Sequence, residues 1–362
     1  MTRRSVAAAL ALLVPPALLG EEWRRVTEPP RLEFPADRGP HPAFLTEWWY
    51  ATGRLTAEDG SRVGYQLVFF RRGVDPGPPQ PGQSALRPRQ VLAAHLAIAD
   101  LESGRFHTAQ RARRVAAGLA GWREGGLDLW LEDWSITLDG DGTLRLSAAE
   151  RAAGLSLDVA LRPGGPPVLH GDRGLSAKGP EPGNASAYLS WPRLESEAAL
   201  TVTGVARTMR GTSWFDHEWG SSALGEGIAG WDWFGLRLAD GRDLMLFVLR
   251  RADGSIAAHS AGTLVGADGS VIRLGAGDFT ASPLSTWTSP ATGARYPSRW
   301  RLRVPAAALE LEITPALQEC EVDGRTSTGT VYWEGPVDVA GTVAGEGYME
   351  LTGYAGTMAG RF

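Results

Sequence analysis

Cysteine is almost missing from this chain: Cys320 stands alone in 362 residues. A single thiol excludes an intrachain disulfide and a cysteine-held zinc cluster. An excess of positive charge is missing as well. Lys and Arg number 36 against 41 Asp and Glu, a formal net charge of −5, so the chain lacks the basic field of a nucleic-acid binder. There is no Gly-x-Ser-x-Gly nucleophile elbow. No Walker-type phosphate loop is present, and no His-x-x-x-His pair stands ready to seat zinc or iron. Helical periodicity is scarce beyond the first 20 residues. What the chain has in quantity is tryptophan, 14 residues against 7 tyrosines. Indoles in that number suit a pocket with flat apolar walls. Hydrophobic residues at 43% and charged residues at 21% describe a chain that buries real cores.

The N-terminus reads as an export signal over residues 1–20. Arg3 and Arg4 precede an apolar run, 6–19, that contains Pro15 and Pro16 and is too short to span a bilayer. Glu21 occupies the position of a lipidated cysteine, so the expected product is periplasmic or secreted and not a lipoprotein.

Beyond the signal, apolar and polar residues alternate between turns. Asp-Gly, a pair suited to tight hairpins, occurs seven times, beginning at Asp59, Asp139, Asp141, Asp240, Asp253, Asp268 and Asp323. Strand-like runs fall at 63–70, 127–138, 244–249 and 331–339. An all-β chain of meanders closing into barrels is expected, with a β-sandwich as the competitor. An internal repeat points to two related domains. The first copy runs Trp48-Trp49-Tyr50, Arg54-Leu55, Asp59-Gly60, then Arg71-Arg72. The second runs Trp231-Asp232-Trp233, Arg237-Leu238, Asp240-Gly241, then Arg250-Arg251. His95 and His259 follow the two hairpins. Leu155 to Pro163 is echoed by Leu309 to Pro315. The expected domains are 40–194 and 199–362, and a Pro-rich insertion, 75–88, forms a loop or lid on the first.

Four clusters set acids among aromatics. The densest is Ser213-Trp214-Phe215-Asp216-His217-Glu218-Trp219-Gly220. In an extended chain Asp216 and Glu218 share one face, while His217 shares the other with Phe215 and Trp219. A carboxyl kept from water among indoles holds its proton to higher pH, as a general acid requires. The others are Thr46-Glu47-Trp48-Trp49-Tyr50, Gly230-Trp231-Asp232-Trp233-Phe234 and Tyr332-Trp333-Glu334-Gly335. In each of them, local pairing that ties a loop or caps a strand is the competing reading.

The first three clusters, with the Trp-Phe-Asp-His-Glu-Trp-Gly run at their centre, resemble the lipocalin-like AttH/CrtC family, which is related to carotenoid 1,2-hydratase. The resemblance extends from about His41 to the end of the chain. It implies two tandem lipocalin-like antiparallel β-barrel domains and an apolar pocket. In the hydratase branch an acid protonates a terminal carbon–carbon double bond, a tertiary cation forms and water adds, with no cofactor. The His-x-Trp pair of that branch matches His217 and Trp219. Its Tyr-x-Asp pair is matched at Asp232 only, Gly230 standing in place of the tyrosine. The expected catalytic set is Asp216, His217, Glu218, Trp219 and Asp232, with Asp232 or Asp216 as the acid. The expected ligand wall is Glu47, Trp48, Trp49, Tyr50, Trp214, Trp231, Trp233, Tyr332 and Trp333. No metal is expected. The expected partner is a hydrophobic isoprenoid, polyene or lipid-like molecule. A non-catalytic periplasmic carrier serving an ABC-type exporter is the alternative.

Overall fold

The computed structural model describes residues 22–358, apart from 77–81, 83, 85–86, 223 and 226. The expected export signal and much of the Pro-rich insertion lie outside the described residues. Helix among those residues is confined to three single turns, Ala36–Arg38, Arg151–Ala153 and Pro305–Ala307. Everything else with regular structure is strand, in two antiparallel sheets.

The first sheet contains β1 (Thr46–Ala57), β2 (Arg62–Gly73), β3 (Gln90–Asp100), β4 (Arg105–Arg114), β5 (Ala120–Trp122), β6 (Asp128–Leu131) and β7 (Trp134–Leu138). It continues with β8 (Leu144–Glu150), β9 (Leu155–Pro163), β10 (Val168–Leu169), β11 (Leu175–Ala177), β12 (Ala185–Val202) and β13 (Val205–Gly220). Its order is β4-β3-β2-β1-β13-β12-β9-β8-β7-β6-β5, with β10 and β11 pairing on β12. The second sheet contains β14 (Ile228–Leu238), β15 (Asp243–Arg251), β16 (Ala261–Val265), β17 (Val271–Gly275) and β18 (Thr280–Thr288). To these it adds β19 (Arg295–Val304), β20 (Leu309–Pro315), β21 (Glu321–Gly324), β22 (Thr330–Gly341) and β23 (Gly345–Thr352). Here the order is β17-β16-β15-β14-β23-β22-β20-β19-β18, with β21 pairing on β22.

Turn chemistry explains much of this meander. Gly60, Gly142, Gly241 and Gly269 each close a hairpin with φ between +82° and +91°, and Asp-Gly supplies that conformation without strain. The run 127–138 is not one strand. It folds back at Glu132, whose φ is +59°, into the β6–β7 hairpin. The chain passes from the first sheet to the second between Gly220 and Ile228. Residues 194–199, where the sequence placed a boundary, lie inside β12. That strand is 18 residues long and pairs with both β13 and β9.

Each sheet curls around its own apolar core. Leu67, Phe69, Leu129, Leu157 and Phe215 belong to the first core, and Phe234, Leu302, Leu311 and Met349 to the second. Alternation along each strand puts the next residues on the outer face. Where the two sheets meet, a third buried cluster joins Tyr50, Val68, Tyr188 and Trp214 to Trp233, Met245, Phe247 and Tyr348. This seam carries the candidate site.

The sequence repeat is a structural one. Tyr50 lies opposite Asp216, which lies opposite Ser190; Trp233 lies opposite Glu350, which lies opposite Glu334. β9 and β20 each follow a single helical turn and pair with equivalent strands. The histidines do not match. His95 lies opposite Val68 on β2, whereas the equivalent place opposite Phe247 is held by Ala261. His259 sits in a turn two residues earlier, because the connection after β15 is shorter than the one after β2.

Candidate active site

The two sheets enclose a cavity of about 170 Å³ at their seam. β1, β2, β12 and β13 supply one wall, and β14, β15, β22 and β23 the other. Trp48, Tyr50, Tyr188, Trp231, Trp233 and Tyr332 turn aromatic rings to it. Among the described residues, four carboxyl side chains, Asp216, Glu218, Glu334 and Glu350, line it together with a single cation, Lys178.

Asp216 is the best-defined of these acids. Its Oδ1 accepts from the Ser190 hydroxyl and from Trp214 Nε1. Tyr188 donates to its Oδ2 at 2.7 Å, and the Tyr188 oxygen in turn accepts from Trp233 Nε1 at 2.9 Å. Ser190 spends its proton on Asp216, so it accepts from His170 Nε2 at 2.6 Å, and Thr263 donates to His170 Nδ1 at 2.8 Å. Burial lowers the His170 pKa to about 3, so the ring is neutral and has one N–H to give. Burial raises the Asp216 pKa to about 7, against the lowering pull of Ser190, Tyr188 and Trp214. Trp214 can only donate, so Oδ1 remains an acceptor and the carboxyl proton belongs on Oδ2.

Opposite stands a second acid group. Tyr50 donates to Glu334 Oε1 across the seam. Burial, then the nearby Glu350, push the Glu334 pKa well above the usual carboxylate range. Burial also raises Glu350, which accepts from Trp231 at 3.1 Å and Thr352 at 2.8 Å. At one end, Lys178 sits 3.1 Å from Glu218 and 3.9 Å from the ring centre of Phe247.

The alternation read from the sequence holds on β13, and it divides the expected catalytic set. Asp216 and Glu218 face the cavity. His217 and Trp219 point into the first core, because side chains alternate across a strand. There His217 donates to Glu47 Oε1 at 2.9 Å and lies against Trp49. Trp219 stacks on His41 with centroids 3.8 Å apart. Glu47 and Trp49, expected in the ligand wall, belong to this inner group. Glu47 is fully buried, and Arg71 donates to it at 2.8 Å while His41 Nδ1 donates at 2.7 Å. Burial favours the neutral Glu47, but His41 and Arg71 outweigh it and hold its pKa low. Burial also works against a charged His41, and Glu47 and Asp37 more than offset it, so that pKa is raised. His41, Glu47 and His217 place ligand-type atoms within 4.8 Å of one another. Spacing along the chain could not show this grouping, which comes from two strands and a connecting segment.

Asp232 and Trp333 also leave the cavity. Asp232 faces the interior of the second sheet, where Tyr354 donates to it at 2.9 Å and Arg250 lies 3.7 Å away. Burial raises its pKa to about 6 against the pull of Arg250. Trp333 packs in the second core and donates to the Gln318 carbonyl. Trp214 lies at the seam, with its indole N–H on Asp216. Trp48, Tyr50, Trp231, Trp233 and Tyr332 line the cavity. Tyr188, His170, Gln66, Glu350 and Lys178 were missed. The period-two pattern Tyr348-x-Glu350-x-Thr352 carried a legible signal for Glu350, while His170 sits between two short strands with none.

Two curled antiparallel sheets, joined across an aromatic cavity that carries buried acids, define a lipocalin-like protein. The AttH-like family model matches residues 25–354, and the chain belongs to that family. A protein of Nitrosomonas europaea assigned to AttH is 36% identical over 91% of this chain and 99% of its own, with a TM-score of 0.81. Kievitone hydratase from Nectria haematococca shares the fold at 15% identity and a TM-score of 0.68, over 93% of this chain and 97% of its own. No curated protein matches.

Proposed function

We propose that this protein is a cofactor-independent hydratase, or a related lyase, acting on an isoprenoid or lipid-like alkene held between the two sheets. The observation that carries the reading is Asp216, a buried carboxyl in an aromatic cavity with its pKa raised to about 7. Such a group is protonated in a useful fraction at neutral pH and is a competent general acid.

In the proposed step the Oδ2 proton of Asp216 passes to one carbon of the double bond. The π electrons form the new C–H bond and leave a tertiary cation on the other carbon. The faces of Trp48, Tyr50, Trp231 and Trp233 shelter that cation. A water lone pair closes the C–O bond, and the proton the water loses returns to the Asp216 carboxylate. Atoms and charge balance without any redox partner. His217, Trp219 and Asp232 act in this reading as supports of the two cores. Carotenoid is not required as substrate, and export through the 1–20 signal is part of the same proposal.

The test uses geranylgeraniol and 18O-labelled water, with the product followed by mass spectrometry. The wild type is expected to incorporate one label per turnover. Asp216→Asn is expected to lose at least 100-fold in rate, a single general acid being worth roughly 10²–10⁴, while tryptophan quenching by the ligand is retained. Saturable quenching with no label incorporated by the wild type would favour the carrier reading instead.

A further inference from the structure

One buried acceptor in the cavity has no donor. Gln66 is 1% exposed, lines the cavity, and its Oε1 has no hydrogen-bond partner among the described residues. Which end of this amide is left without a partner is decided by a chain of hydrogen bonds that starts at a backbone carbonyl. A carbonyl only accepts, so the Gln110 NH2 group is the end that meets Asp323 O at 2.7 Å. Gln110 Oε1 therefore accepts, and Ser327 donates to it at 2.6 Å, in preference to Gly324 O at 3.2 Å. With its one proton used, Ser327 Oγ accepts from His95 Nε2 at 2.7 Å. Burial lowers the His95 pKa to about 4, so the ring is neutral and its Nδ1 is an acceptor. Tyr332 then donates to Nδ1 at 2.7 Å. The Tyr332 oxygen, its proton spent, accepts from the Gln66 NH2 group at 3.1 Å. Five groups in order leave Gln66 only one orientation, with its NH2 group on Tyr332 and its carbonyl oxygen the end without a partner among the described residues.

We propose that the cavity recognises its apolar ligand through a hydrogen-bond donor, a hydroxyl or an amine, received by the Gln66 carbonyl, and that it turns away carboxylates. A buried carbonyl without a donor carries a desolvation cost that a ligand O–H or N–H removes. An ether or ester in the same place would set acceptor against acceptor. The charges agree: among the described residues that line the space, Asp216, Glu218, Glu334 and Glu350 are the acids, and the one cation, Lys178, is already engaged by Glu218. An anionic head would meet these acids with no free counter-charge among the described residues. This inference rests on the reading of the cavity as a ligand site and adds to it the chemistry of the ligand's polar end.

The test titrates the full chain with four probes of one skeleton: farnesol, farnesylamine, farnesyl methyl ether and farnesoic acid, read by tryptophan quenching. At least one of the two donor-bearing probes is expected to bind ten-fold or more tighter than the ether, with the acid weakest. The comparison of farnesol with farnesylamine tells which donor is used. In Gln66→Met the preference over the ether is expected to fall to within two-fold. Tyr332→Phe breaks the chain of donors one link earlier and frees the Gln66 amide to rotate; there the preference is also expected to shrink, with the melting temperature recorded as the check on folding. An ether that binds the wild type as tightly as both donor-bearing probes overturns the inference while leaving the ligand site standing. Tighter binding of farnesoic acid than of farnesol, or a full preference kept by folded Gln66→Met, also overturns it. Absence of saturable quenching by all four overturns the ligand site itself, and this inference with it.

Discussion

Asp216 shows how a residue is given a task by what surrounds it. Its pKa of about 7 follows first from burial, and the three donors at its oxygens keep it from rising further. Only the protonated form can donate, so the alkene-hydrating rate is expected to fall as pH rises through about 7. Tyr188→Phe removes a donor that favours the carboxylate, so the alkaline limb of the pH–rate profile is expected to move to higher pH in that variant. Stability follows the same group. Below pH ~4 the side chain is protonated both folded and unfolded. Between the unfolded value of 3.8 and about 7, the folded chain holds the proton more tightly, so raising the pH weakens the fold. Three pKa units correspond to ~4 kcal/mol at most. Asp216→Asn carries no such penalty. Its melting temperature is expected to gain on that of the wild type between pH 4 and pH 8, and thermal melts across that range measure the difference.

Glu47 is the opposite case at the same scale. Arg71, 1% exposed, has its Nε on Glu47 and three further donors on Gln90 and on the carbonyls of His41 and Phe44. Glu47→Ala would leave that buried guanidinium without its counter-charge. A loss of ~3–5 kcal/mol is expected, read as a lower midpoint in urea.

Among the elements, β13 carries the most meaning, because one strand serves two compartments. Its even-numbered residues 214, 216 and 218 serve the seam, and 215, 217 and 219 serve the first core. The division was legible in the sequence, since period two follows from the geometry of an extended chain. What alternation could not say is which face meets a ligand. His217 and Trp219 matched a catalytic pair by spacing, yet they stand behind the sheet from Asp216. β1 and β14 repeat the lesson, with Trp48, Tyr50, Trp231 and Trp233 toward the cavity and Trp49 and Asp232 away from it. Where β2 crosses the second sheet, Gly64 is required for close approach. A Cβ there would come within 2.6 Å of both Pro336 Cγ and the Tyr348 hydroxyl. Gly64→Val is expected to force the sheets apart at a cost of ~1–3 kcal/mol, seen as a lower melting temperature together with weaker ligand quenching.

For the whole molecule, the seam is the functional unit. It is held by apolar packing and by pairs that cross between the sheets: Tyr50 with Glu334, His170 with Thr263, and Arg193 with Asp243 at 2.9 Å. Each half exposes Tyr50 and Tyr188, or Trp233 and Phe247, unless the other covers them. The halves are therefore expected to unfold together, as one calorimetric transition in place of two.

The sequence by itself determined the all-β class, the four Asp-Gly hairpins, the two-fold repeat and the split of acids and aromatics into two faces. These follow from turn residues and from alternation, which are local. Tertiary structure decided that the cavity lies between the sheets and not inside a barrel, that Glu334, Glu350 and Gln66 share it with Asp216, and that His170 reaches Asp216 through Ser190. It also decided that Glu47, His217 and Asp232 are turned inward. Those placements depend on how two curled sheets dock. Docking is set by contacts between residues far apart in the chain, from 50 positions for Arg193 and Asp243 to 284 for Tyr50 and Glu334, and no local pattern along the chain carries that information.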